Sequence, residues 1–247
     1  MRWIVAPLLL AASGGFAQVY FGNRAGVSVG KEVLKNADGY DGVNIHDDHT
    51  FQMLGCNFGA SVEFPLNDQI SLQPEIGYVE KGYLSPKKAV PGSEEQMVRL
   101  GYADLSLLFK WTALSGNARP EIFLGPALAH TMRTRDETRS DMLVYETGTF
   151  DEVIRTHEFN IRDNLAEWEV SAVFGAGLIL QPGVARIHIG YRYMLGLSNI
   201  YRYVVDYSDV NGSQLGSGSM FNRTHMIIIG YSIPLSREAW TGTPSPR

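Results

Sequence analysis

One eleven-residue run constrains this chain more than any other feature. From Leu54 to Phe64, one parity holds Leu54, Cys56, Phe58, Ala60, Val62 and Phe64, and the other holds Gly55, Asn57, Gly59, Ser61 and Glu63. Side chains alternate faces along an extended strand, so the segment has one wholly apolar face and one face of small or polar residues. The next run repeats the pattern. Ile70, Leu72, Pro74, Ile76 and Tyr78 alternate with Ser71, Gln73, Glu75, Gly77 and Val79, and Pro65-Leu66-Asn67-Asp68 supplies a tight turn between the two. Together they predict a hairpin.

The same period recurs along the chain. Ala25, Val27 and Val29 alternate with Arg24, Gly26, Ser28 and Gly30. Trp168 to Leu178, Ile187 to Tyr193 and Ile227 to Leu235 behave in the same way. Two less regular runs put Ala103 to Trp111 and Ile122 to Leu128 on the apolar parity. The expectation is an all-β fold of eight strands of about ten residues or more, the length a tilted strand needs to cross a bilayer. Three connections are short, around Pro65–Asp68, Thr112–Arg119 and Gln181–Val184. Four are long, at 33–50, 84–97, 132–164 and 197–221, and the third of these carries five arginines and eight acids. Short and long connections therefore fall at opposite ends of an up-and-down meander, with both termini at the short end. Outer-membrane barrels have this asymmetry.

Alternation does not say which face meets water. A soluble barrel that binds an apolar ligand would turn the apolar parity inward, and a membrane barrel would turn it outward. The second parity favours the membrane form. It carries Gly26, Gly30, Gly55, Gly59, Gly77, Gly175, Gly177, Gly190 and Gly230 with scattered charges of both signs, where a solvated exterior would be rich in lysine, glutamate and threonine. Small residues make room in an eight-stranded barrel, which is only just wide enough for its own side chains. The apolar parity also ends in rings, Phe64 and Trp111 at the short-turn end and Tyr78, Trp168 and Tyr193 at the long-loop end, as interfacial girdles require. The predicted fold is an eight-stranded antiparallel up-and-down transmembrane β-barrel.

The ends of the chain and its composition fit an exported protein. Residues 1–17 combine Met1-Arg2, the apolar stretch Trp3 to Ala12 and the small-residue site Gly15-Phe16-Ala17, and read as a signal peptide. The barrel domain would then cover 18–247, with 236–247 as a short tail. Without Arg2 the chain has 20 basic and 26 acidic residues, a net charge of −6, so a sequence-blind nucleic-acid partner is not expected. A single cysteine, Cys56, forms no internal disulfide. The mean hydropathy of −0.09 averages two faces that would meet different solvents.

The runs SLQPEIGYVEKGY (71–83), LGYADLSLLFKW (100–111), EIFLGPALA (121–129) and FGAGLILQPGVARIHIGYRYMLGLSNI (174–200) resemble the outer-membrane β-barrel (PorT-like, "porin family") proteins of Bacteroidota. The resemblance covers most of the mature chain. The chain departs from it at Asp104 and Ser106, where Glu and Pro are usual, and in the tail Ser236 to Arg247, where many such barrels end on an aromatic residue. The resemblance implies an integral outer-membrane protein. It implies no transport activity, and no residue places the chain in the secretion-linked branch. The expected partners are outer-membrane lipid, the barrel-assembly machinery and an unidentified extracellular or periplasmic protein.

Candidate chemistry is sparse. Glu63, Glu75, Asp104, Lys110, Glu121, Glu167, Glu169, Arg186, His188 and Arg192 fall on the second parity and would form a charge network in the lumen. Buried charges must pair, so a plug of salt bridges is expected ahead of an ion or proton path. His46-Asp47-Asp48-His49 groups possible metal ligands in an acidic loop that reads as solvated, and no metal or cofactor is assigned. Gly212 to Ser219 reads as a loop tip without a phosphate-binding context. No G-x-S-x-G or H-E-x-x-H motif occurs, and no catalytic residue is assigned. A lipid-modifying enzyme would need a membrane-facing Ser–His pair. His225, with Thr224 and Asn222 beside it, is the nearest approach to one.

Overall fold

In the computed structural model, the described residues are 18–35, 51–85, 94–113, 116–146, 149–159, 165–200, 205–208 and 214–235. The expected signal peptide, the His46–His49 group and the tail from Ser236 lie outside them. Eight long strands form the wall: β1 (Tyr20–Lys35), β2 (Phe51–Pro65), β3 (Ile70–Ser85), β4 (Glu94–Thr112), β5 (Ala118–Glu146), β7 (Trp168–Leu180), β8 (Arg186–Gly196) and β10 (Gln214–Pro234). Two shorter ones, β6 (Thr149–Phe159) and β9 (Val205–Ser208), pair with the upper ends of β5 and β10.

Each wall strand pairs antiparallel with the next, and β1 pairs with β10 from Tyr20↔Pro234 to Lys35↔Ser219. The barrel is therefore closed, and no edge of the wall faces lipid with unpaired backbone. At the short-turn end, the Asn67 Oδ1 accepts the Gln69 and Ile70 N–H groups at 2.9 and 2.8 Å. This local bond sets the β2–β3 turn. Adjacent turns are also tied together, by Thr112 N–H to Gln69 O and Gln181 N–H to Asn117 O.

The apolar parity faces outward. Leu54, Phe58, Ile76, Leu105, Leu124, Ile227 and Ile229 are each more than half exposed. In the other direction, Arg24, Glu75, Lys81, Asp104, Lys110, Glu169 and Arg192 are buried. This inversion identifies a membrane barrel and excludes the soluble form, because a water-soluble protein has no such apolar wall. Glycine supplies the interior space. A Cβ at Gly77 would stand 2.9 Å from Asp104 Oδ1 and 3.0 Å from Arg24 Nη2, and one at Gly175 would run into the Phe123 ring.

Two expected loops contain more strand than the alternation predicts. Within 132–164, β5 continues to Glu146 and returns as β6, and within 197–221, β9 and the start of β10 are paired. Residues 214–219, expected as a loop tip, are thus strand. Beyond the bilayer neither face is selected for lipid, so backbone pairing persists while the period-two pattern fades.

Candidate functional site: the charged lumen

Alternation carries one side chain in two from each strand into the barrel, and there the charges collect in three tiers. Nearest the short turns, Lys110 lies 3.1 Å from Glu63 Oε2 and 2.8 Å from Glu121 Oε2. The Arg186 Nη1 stands 3.0 Å from Glu63 Oε1, and its guanidinium lies 3.6 Å over the Tyr20 ring. His188 bridges Glu121, 3.5 Å away, and the Ser232 hydroxyl at 3.0 Å.

The central tier is built on Glu75. Arg192 donates to both of its oxygens, at 2.7 and 3.0 Å, in the two-pronged geometry that suits a guanidinium to a carboxylate. Arg24 adds its Nε at 3.2 Å, then extends one Nη to Asn57 Oδ1 at 3.2 Å and the other to Asp104 Oδ2 at 3.4 Å. Ser106 donates to the same Asp104 oxygen. Toward the long loops, Lys81 lies 2.8 Å from Glu169 Oε1 and 4.7 Å from the centre of the Tyr102 ring. Ser171 and Asn222 also donate to Glu169, at 2.9 and 2.7 Å. Glu32, opposite Asn222 across the β1–β10 ladder, is buried in the same tier, and its Oε2 has no hydrogen-bond partner.

Little space is left between these groups. The cavity between the lower and central tiers is about 40 Å³, room for a few waters. Below it the lumen opens into a vestibule of about 870 Å³, bordered by Gln18, Tyr20, Glu63, Asn67, Arg119 and Arg186.

Of the ten charges expected in the lumen, Glu63, Glu75, Asp104, Lys110, Glu121, Glu169, Arg186, His188 and Arg192 are there. Glu167 is not. It is exposed, just ahead of β7, and its carbonyl accepts the Thr131 N–H at 2.9 Å. Its parity would point it inward only if the strand began earlier. Arg24 and Lys81 were missed, although both lie on the lumen-facing parity. Lys81 is one period beyond where the apolar alternation of β3 becomes clear. On the outer wall, His225 meets the Tyr191 hydroxyl at 2.6 Å and the Tyr193 ring. Thr224 and Asn222 are buried on the opposite face, so they give His225 no hydroxyl or amide partner for lipid chemistry.

Residues 13–202 match the family described as Outer membrane protein beta-barrel domain. The chain belongs to this family. It is therefore an outer-membrane protein, in keeping with the closed barrel and its apolar wall. Among solved structures with some similarity to the chain, Neisserial surface protein A aligns over 90% of this chain and 100% of its own, at 12% identity and a TM-score of 0.40. Ail, the attachment invasion locus protein of Yersinia pestis, aligns over 88% and 100%, at 13% identity and 0.36. The Escherichia coli outer membrane protease OmpT aligns over 88% and 97%, at 8% identity and 0.33. No curated protein sequence matches the chain.

Proposed function

We propose that this family member is a non-enzymatic, non-conducting outer-membrane barrel of the Bacteroidota PorT-like type. Its 1–17 leader is removed on export and the barrel-assembly machinery inserts it. The barrel then serves as a rigid seat for an extracellular protein at its long-loop end or a periplasmic one at its short-turn end.

The observation that carries this reading is the bridged lumen. Ion pairs from β1, β2, β3, β4, β5 and β8 cross the lower and central tiers, and the cavity between them holds a few waters at most. Moving an ion through would separate pairs that are already desolvated, at a cost far above thermal energy. The test is single-channel recording of the purified full-length protein in planar bilayers. No stepwise current is expected from the wild type, and resolvable unitary steps would overturn the proposal.

A further inference from the structure

We propose that Glu32 holds a proton at neutral pH and donates it to the Asn222 Oδ1 across the β1–β10 ladder, which makes the upper tier of the lumen a proton-binding site that empties at alkaline pH. The site stands whether or not the lumen conducts.

Two buried acceptors of the upper tier face each other without a donor. Lys81, Ser171 and Asn222 all donate to Glu169, and the bond from the Asn222 Nδ2, at 2.7 Å, fixes which way round its amide stands. The other end of that amide, the Oδ1, is buried and has no partner. Glu32 lies directly opposite Asn222, and its Oε2 is buried without a partner as well. Residues opposed on one face of an antiparallel pair have Cβ atoms about 5 Å apart, close enough for a carboxyl and an amide to meet. An ionised carboxylate and an amide oxygen both accept, so neither satisfies the other. A protonated carboxyl donates. One hydrogen on the Glu32 Oε2 therefore gives both oxygens a partner.

The charges nearby leave the proton as the balancing cation. Among the described residues, the charged or titratable side chains buried around Glu32 are Lys81 and Tyr83 of β3, Tyr102 of β4 and Glu169 of β7. The Lys81 ammonium lies 2.8 Å from Glu169 and over the Tyr102 ring, so this base is already committed. The charged side chain that acts on Glu32 itself is Glu169, a second acid. Ionised, Glu32 would bring the tier to two acids against one base. Protonated, it leaves Glu169 and Lys81 as a neutral pair, and a buried carboxyl without a cation takes up a proton rather than carry an unpaired charge. The backbone packs closely on either side. A Cβ at Gly30 would stand 2.9 Å from Gly82 N, and one at Gly196 would stand 2.8 Å from Asn222 O and 3.2 Å from Glu169 Oε1. A proton needs no cavity, whereas a hydrated metal ion does.

Glu32 stands above the apolar wall. Up the outer face of β10, exposed Tyr231, Ile229 and Ile227 give way to His225, against the Tyr193 ring, and then to Arg223, which faces Lys31 of β1. Glu32 and Asn222 lie one residue beyond that basic pair, at the long-loop rim rather than at bilayer depth. Burial first, and then the Glu169 carboxylate, push the Glu32 carboxyl up to about 8. A glutamate in an unfolded chain titrates at about 4.3. The folded chain thus keeps this proton over a range in which the unfolded chain has lost it, and stability falls as pH rises through that range.

The test is infrared spectroscopy of the full-length protein in an ester-free detergent, where a protonated carboxyl has a C=O band apart from those of carboxylates and amides. At about pH 6 the wild type is expected to show this band and Glu32→Gln to lack it, and the wild-type band should disappear by about pH 10. Asn222→Leu, which removes the acceptor, should keep the band and move it to higher frequency. Urea unfolding gives a second readout, in which the wild-type midpoint should fall relative to that of Glu32→Gln as pH rises from about 5 to about 9. A wild type without the band would overturn the proposal whether or not the variants fold, and a carboxylate balanced by a bound sodium ion would give that result. A band that survives in Glu32→Gln, a wild-type band unchanged at about pH 10, an unmoved band in Asn222→Leu or parallel pH profiles of the two midpoints would overturn it too.

Discussion

The central and upper tiers of the lumen differ in how their buried acids and bases balance. In the centre, Arg24 and Arg192 face Glu75 and Asp104, two bases against two acids, and Asn57 and Ser106 take up further contacts. In the upper tier, Lys81 is the base beside Glu169, and Glu32 is a second buried acid whose Oε2 has no partner. Charge balance inside this barrel is therefore set tier by tier rather than over the lumen as a whole. The centre holds the wall together, while the upper tier carries an acid that its own base does not match.

Variants can break or sharpen this contrast. The largest effect is expected from Glu75→Leu, which leaves two guanidinium groups buried without their shared carboxylate and should cost about 4–5 kcal/mol. Urea unfolding in detergent micelles measures it, and a loss below 1 kcal/mol would mean that the central tier is not what stabilises the wall. Lys81→Met should cost about 3 kcal/mol by stranding Glu169 beside Glu32. If it matched or exceeded Glu75→Leu in the same titration, the two tiers would not differ as described.

Gly77→Ala should cost about 2 kcal/mol, because the added methyl meets Phe58 O at 2.7 Å as well as Arg24 and Asp104. The loss of heat-modifiable gel migration should move to lower temperature in step, and an unshifted profile would show that the central groups relax freely. The smallest effect belongs to Glu32→Gln. It replaces a buried acid next to Glu169 with a neutral amide of the same volume, so stability should stay within about 1 kcal/mol of wild type or rise slightly. A loss of 3 kcal/mol there would assign Glu32 a structural bond.

The wall was legible in the sequence because lipid on one side and a narrow lumen on the other impose a strict period. Leu54 to Phe64 and Trp168 to Leu178 show it cleanly, and the turn at Pro65–Asp68 follows from its residues. Most lumen charges were legible for the same reason. The strand positions of Arg133 and Arg135 were not, because 132–164 reads as a loop, whereas β5 runs on through them past a one-residue register shift that nothing local in Thr131-Met132-Arg133 announces. The β5–β6 extension was hidden too, since its pairing lies beyond the bilayer and needs no apolar face. Which acid meets which base depends on the lateral order of strands, and alternation along a single strand does not encode that.

The ladder between Tyr20 and Pro234 has a consequence for how the molecule comes into being. The contacts that close the cylinder join residues from 214 positions apart at Tyr20↔Pro234 to 184 at Lys35↔Ser219, the least local pairing in the wall. Loop closure over that length is slow, and until it happens both terminal strands are raw edges open to any other strand. A chain stopped short of β10 would lack two seams at once, the one with β8 and the one with β1. Quality control thus needs only one late event to inspect: whether the last strand to be made has found the first.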